Sequence, residues 1–170
     1  MYPTTIVRDT QGGAKAPPVR VAVAGATGYA GQELVRLLAR HPALALEAAM
    51  SSSDTARRLP ALAHIWDGEV GPLDRDRLAS AEVAFLALPD TAAAEFAPAL
   101  LDAGVRVVDL SGAFRLRDDS LRRRWYPETH RMPAGVVYGL TERARSALPS
   151  AQLVANQPRN GQSKDEILFG

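Results

Sequence analysis

Seven consecutive residues, Gly25, Ala26, Thr27, Gly28, Tyr29, Ala30 and Gly31, carry the first chemistry legible in this chain. They stand where a β-branched and alanine-rich run, Val19 to Ala24, hands over to an apolar pattern of helical period. In that setting, main-chain amides and the positive end of a helix hold a diphosphate. Glycine meets three needs there: a tight turn, close approach of the backbone to phosphate, and close packing of helix on strand. The spacing G-x-x-G-x-x-G is a variant of the commoner G-x-G-x-x-G. Alone it is a weak signal, because a small-residue turn with no ligand reads the same way.

About 20 residues past such glycines, an NAD-binding unit carries Asp or Glu for the ribose 2′-hydroxyl. Here that place holds Met50-Ser51-Ser52-Ser53, with Arg57-Arg58 close behind. Hydroxyls and guanidinium groups suit a 2′-phosphate, which favours NADP(H) over NAD, with Ser51, Ser53 and Arg57 as its candidate ligands. A solvated loop is the plain alternative for each arginine.

The chain has no cysteine. A disulfide framework, a zinc–thiolate site, an iron–sulfur cluster and a thiolate nucleophile are all excluded for the sequence as it stands. Lys plus Arg number 20 against 19 for Asp plus Glu, so the net charge of +1 gives no general attraction to nucleic acid or anionic membrane. Apolar stretches such as Val83 to Pro89 fall well short of the roughly 20 residues of a spanning helix. Residues 1–18 lack an apolar signal segment and include Asp9, so they are expected to be a flexible leader on a cytoplasmic protein.

The elements that must position these groups follow from periodicity. With 170 residues, 46% hydrophobic and 23% charged, one globular domain over 19–156 is expected. Leu34, Leu37, Leu38 and His41 are spaced as one helix face, and His41-Pro42 ends that helix. A second strand is expected over Leu44 to Met50. Residues 55–82, with Pro60, Gly68, Gly71 and Pro72, read as irregular with short elements. Val83 to Leu88 reads as a strand buried on both faces. Thr91 to Ala103 reads as a helix with Phe96, Leu100 and Leu101 inward and Gly104 just past its end, although Pro98 inside it costs about 3 kcal/mol or kinks it. Val105 to Leu110 and Gln152 to Ala155 complete the strands. Strands alternating with helices predict an α/β fold with a doubly wound, mostly parallel sheet of Rossmann type.

The chain now resembles a known family. Gly25 to Gly31 with Gln32-Glu33-Leu34, Phe85-Leu86-Ala87-Leu88-Pro89, Asp109-Leu110-Ser111-Gly112-Ala113-Phe114-Arg115-Leu116, Trp125-Tyr126, Tyr138-Gly139-Leu140-Thr141-Glu142 and Leu153-Val154-Ala155-Asn156 look like N-acetyl-γ-glutamyl-phosphate reductase. The matches come in order over residues 19–156. The D-L-S-x-x-F-R block is the most specific, and the Y-G-L-x-E block supports it. The resemblance implies an NADPH-dependent enzyme of arginine biosynthesis that reduces an acyl phosphate to a semialdehyde. A cysteine thiolate would attack the acyl phosphate and hydride would then reduce the thioester, with a histidine of a second domain assisting. It also implies a small-molecule acyl-phosphate substrate and a homo-oligomeric enzyme.

In the family, the strand ending in Asn continues into P-G-C-Y-P-T. In this chain Gln157-Pro158-Arg159-Asn160 follow Asn156, so Arg159 occupies the cysteine's place. A guanidinium stays protonated and is no nucleophile, so no catalytic residue is assigned and the covalent step is expected to be absent. Residues 157–170 form a polar tail unlike the family. It holds one of only two lysines, Lys15 and Lys164, in a chain otherwise built on arginine, which suggests a truncation or frameshift near residue 156. Two smaller departures are Asp90-Thr91, where the family has His-Gly, and Ala113, where it has Asp.

Leu88, Pro89, Ser111, Gly112 and Asn156 belong to these blocks and are assigned to the cofactor crevice. Ser111 and Gly112 also lie at the sheet edge where ligands of open α/β folds sit. Arg115 is a candidate anchor for a substrate phosphate or carboxylate, or else a structural ion pair. Arg122-Arg123-Arg124 beside Trp125-Tyr126 read as a solvated helix face rather than a nucleic-acid patch. His41, His64 and His130 lack metal-ligand spacing. Asp118-Asp119 and Glu128 are not read as a catalytic carboxylate pair. Three functions remain: the NADP-binding half of the reductase, a fragment of the related aspartate-semialdehyde dehydrogenase, and a non-catalytic NADP(H)-binding module.

Overall fold

The computed structural model describes residues 16–53, 58–139 and 144–156. Seven strands form one sheet: β1 (Val19–Ala24), β2 (Leu44–Ser51), β3 (Val70–Pro72), β4 (Val83–Leu86), β5 (Arg106–Asp109), β6 (Val136–Tyr138) and β7 (Leu153–Ala155). All pairings are parallel, and the spatial order is β3-β2-β1-β4-β5-β7-β6. Four described helices accompany them: α1 (Tyr29–Leu38), α2 (Arg75–Ala79), α3 (Asp90–Asp102) and α4 (Asp119–Trp125). Between β1 and β4 the strand order reverses, and the two crossovers flanking that point pack on opposite faces, as right-handed connections require.

Side chains alternate across the sheet and build two cores. On one face Val21, Val23, Ala49 and Val70 meet Val35 and Leu38 of α1, together with Leu59 and Leu62. On the other, Ala22, Ala24, Met50, Ala84, Leu86, Val107 and Leu153 meet Ala93, Ala97 and Leu100 of α3 and Leu78 of α2. A bulge skips Glu47 in β2 and keeps both alternations in phase with β1.

Several expected details change. The α1 helix stops at Leu38, before His41, and buries Gly31, Val35 and Leu38 while Leu37 is 53% exposed. The α3 helix begins at Asp90, whose carboxylate lies in its first turn, and runs unbroken through Pro98. The strand expected over Val83 to Leu88 ends at Leu86, and its Val83 and Phe85 are only half-buried. The next strand is shortened to Arg106–Asp109 and the last to Leu153–Ala155. The stretch 55–82, by contrast, holds the short elements expected of it, β3 and α2. Arg122 is not on a solvated face: it is 4% exposed and donates through Nε to Thr129 O (3.1 Å) and through Nη1 to Leu116 O (3.3 Å) and Arg117 O (3.2 Å). The leader through residue 15 and the tail from residue 157 lie outside the described residues.

Candidate functional site: the carboxyl edge of β1, β4 and β5

At the end of β1, Gly25 takes φ +84°, the left-handed region that glycine enters freely. Its N–H and that of Ala26 both donate to Met50 O at 2.8 Å, tying the turn to the end of β2. A Cβ on Gly25 would lie 2.2 Å from Ala87 O, and one on Gly31 would lie 2.0 Å from Gly25 O. The chain's own backbone therefore demands glycine at both positions. Gly28 differs. A Cβ there would make only an ordinary contact, with Gly25 O at 3.4 Å, so the backbone does not demand glycine at this position.

The first hydrogen bond of α1 runs from Gln32 N–H to Gly28 O at 2.9 Å. The amides of Tyr29, Ala30 and Gly31 thus have no acceptor within the helix, and no side chain caps them. Gln32 Nε2 donates to Thr27 O at 2.9 Å and fixes the turn from below. Tyr29 is 85% exposed beside it. Uncapped amides, the positive end of a ten-residue helix and a glycine whose missing side chain leaves them uncovered lie together here, a combination whose chemistry suits an anion.

At the end of β2, Ser51 is buried and its Oγ accepts from Ser53 N–H at 3.3 Å. Arg57 lies outside the described residues. Arg58 pairs with Glu69 at 3.7 Å, both side chains being largely exposed.

Across the reversal point, Leu88 packs on the core and Pro89 caps α3. Asp109 ends β5 fully buried, accepting from Ser111 N–H (3.0 Å) and Ser111 Oγ–H (2.8 Å). Burial pushes its carboxyl above the usual range, against the Ser111 bonds and the Arg115 charge, which lower it; nearby Asp90 pushes the same way as burial. Ser111 Oγ accepts in turn from Ala113 N–H at 3.1 Å. Gly112 N–H donates to Asp90 Oδ1 at 2.5 Å, stapling the β5 loop to the start of α3. Arg115 donates through Nε to Asn156 O (3.0 Å) and through Nη2 to Leu110 O (2.8 Å), while Asn156 N–H donates to Asp109 O (2.8 Å).

The fold therefore brings Gly25 to Gly31, Ser51, Leu88, Pro89, Ser111, Gly112, Arg115 and Asn156 to one edge of the sheet. Arg159 and residues 140–143 lie outside the described residues. Sequence reasoning missed Asp90 as the partner of Gly112. It also missed Tyr126, whose ring lies so close over Gly112 that a Cβ there would be 2.3 Å from Cε1. The signal for Asp90 was its place directly after Leu88-Pro89, where the family has histidine; Tyr126 carried only its place in a family block. Among the described residues, no group of three or more metal-ligating side chains comes together, and no helix is long and apolar enough to cross a membrane.

An open parallel sheet whose strand order reverses beside an uncapped glycine turn defines a dinucleotide-binding α/β domain. A family model described as semialdehyde dehydrogenase, NAD binding domain, matches residues 20–151, and the chain belongs to that family. N-acetyl-γ-glutamyl-phosphate reductase of Halorhodospira halophila is 44% identical over 145 residues, covering 81% of this chain and 42% of the relative. That of Geobacillus thermodenitrificans is 42% identical over 146 residues with the same coverage. The chain thus spans about two-fifths of the length of these curated relatives. Among solved structures, aspartate semialdehyde dehydrogenase from Francisella tularensis shares the fold (TM-score 0.56, 16% identity, 81% of this chain and 36% of that one). The Candida albicans aspartate semialdehyde dehydrogenase solved with NADP matches at TM-score 0.50 and 25% identity, over 60% of this chain and 32% of that one.

Proposed function

We propose that this chain is the NADP(H)-binding part of an N-acetyl-γ-glutamyl-phosphate reductase. The observation that carries the reading is a glycine at position 28 that the backbone does not require, beside three uncapped amides, in a chain 40–44% identical to such reductases over its span. The amides of Tyr29, Ala30 and Gly31 hold the diphosphate, and Gly28 leaves room for it. Gly25 and Ala26, their amides spent on Met50, shape the turn, with Thr27 held by Gln32. Ser51, Ser53 and Arg57 receive the adenosine 2′-phosphate, there being no Asp or Glu in Met50-Ser51-Ser52-Ser53 to repel it. Leu88, Pro89, Ser111, Gly112 and Asn156 border the nicotinamide half. Arg115 spends two nitrogens on carbonyls and offers the third, Nη1, to a substrate anion.

The bound cofactor would supply hydride for reduction of an acyl group to a semialdehyde in arginine biosynthesis. This chain contributes orientation and charge; with no cysteine in its 170 residues, it supplies no thiolate for the covalent step. That fact favours, as a second reading, a non-catalytic NADP(H)-binding module. The identity to the reductases favours them over an aspartate-semialdehyde dehydrogenase fragment. A cytoplasmic location, a small-molecule acyl-phosphate substrate and homo-oligomeric assembly of the full-length enzyme belong to the same reading.

The test is titration of the purified chain with NADPH and NADH, followed by nicotinamide fluorescence. NADPH is expected to bind more tightly than NADH. Equal binding would refute the 2′-phosphate assignment, and no binding of either would overturn the whole reading.

A further inference from the structure

Tyr126 directly follows α4 as its C-cap, and its backbone is fixed at both groups: its N–H donates to Arg122 O at 2.7 Å and its carbonyl accepts from Thr129 N–H at 3.0 Å. The buried Arg122 guanidinium anchors this segment through Leu116 O, Arg117 O, Thr129 O and Asp119. From that anchorage the half-buried Tyr126 ring is laid across Gly112. A Cβ at Gly112 would meet Cε1, Cζ and Oη of Tyr126 at 2.3, 2.5 and 2.6 Å. Gly112 is itself held by Asp90, at the start of α3. A phenol is thus placed over the carboxyl edge of β4 and β5, and its hydroxyl has no hydrogen-bond partner among the described residues.

A dinucleotide crosses the edge of an open sheet at the point of reversal, one nucleoside on each side. With the diphosphate at α1 and the adenosine half toward Ser51 on β2, the other half extends over β4 and β5. We propose that the Tyr126 hydroxyl hydrogen-bonds the nicotinamide nucleoside of the bound cofactor and so helps to set the ring's position. This rests on the diphosphate reading above. The phenol can donate to the carboxamide oxygen or accept from its NH₂ group or a ribose hydroxyl.

The experiment compares the full chain with Tyr126→Phe, which keeps the ring over Gly112 and deletes the hydroxyl. Two probes are used: NADPH, and 2′,5′-ADP, which lacks the nicotinamide nucleoside. The variant is expected to weaken NADPH about fivefold, the size of one neutral hydrogen bond, and to leave 2′,5′-ADP unchanged. Unchanged NADPH affinity, or equal weakening of both probes, would overturn the proposal. Failure of the unaltered chain to bind either probe would instead strike the diphosphate reading, and this proposal with it. A second measurement needs no variant: in protein labelled at tyrosine 13Cζ, the Tyr126 resonance should move with NADPH and stay with 2′,5′-ADP. The same shift with both, or no shift with NADPH, would also refute it.

Discussion

Gly25, Gly28 and Gly31 are one amino acid with three different neighbourhoods. The first and third have backbone atoms where a Cβ would stand; at the second a Cβ would make only an ordinary contact with Gly25 O. Gly28→Val is therefore expected to abolish NADPH binding while changing stability by only about 1 kcal/mol, since Gly28 has the extended φ of −71° that a side chain tolerates and a Cβ there meets no clash. Gly31→Ala is expected to cost about 3 kcal/mol through collision with Gly25. Urea unfolding and fluorescence titration of both variants check the pair; retained NADPH affinity in Gly28→Val would contradict it. Asp109 gives a pH prediction. Its folded pKa is raised, so the folded state binds a proton more tightly than the unfolded one. Stability should then fall as pH rises from the ordinary carboxylate range to the raised value, and level off above it. Asp109→Asn removes that slope, so its destabilisation relative to the native chain should shrink with rising pH across this window. Denaturant melts at several pH values read this directly; a gap that widened would contradict it.

At the scale of elements, what was legible followed from strong periodicity, and what was not followed from tertiary context. β1, β2 and α3 lie within one or two residues of their expected bounds, because long apolar runs with proline or glycine stops leave few alternatives. The inward face of α1 was misread because leucine outweighs glycine in a hydrophobic count. Close contact of the helix with the turn needs Gly31 inward, which rotates Leu37 toward solvent. Pro98 sits on the exposed side of α3, where water can serve the carbonyl four residues back that loses its donor. β6 has three residues, too few for a period to register, and among the described residues it pairs only with β7. The α4 arginines looked like a solvated run, since charge alone does not reveal that three carbonyls await Arg122. Arg122→Lys is expected to destabilise the chain by about 3 kcal/mol, because an ammonium cannot reproduce the planar fork that serves those acceptors. Thermal melts of Arg122→Lys beside Arg123→Lys, an exposed neighbour, test this; equal effects would refute it.

At the scale of the whole molecule, alternation of strands and helices was enough to anticipate a doubly wound parallel sheet, and hence a ligand crevice at its carboxyl edge. The placement of β7 between β5 and β6 was not legible, because strand order beyond the reversal depends on long-range pairing with no local sign. Nor was the half-buried row Val83, Phe85, Val108, Val154 and Val137, which shares one sheet face with Val21 and Val23. Of the candidate site, the glycine turn and the positions of Ser51, Ser111 and Asn156 could be placed from sequence. The bonds that fix the turn, and the Asp90 and Tyr126 contacts with Gly112, required the fold. The proposed role of this chain depends on the first turn of α1 receiving a diphosphate. Amide resonances of the 15N-labelled chain, followed while NADPH is added, examine that point most directly. Tyr29, Ala30 and Gly31 are expected to show the largest shifts, and their immobility while NADPH binds elsewhere, or does not bind, would contradict the account.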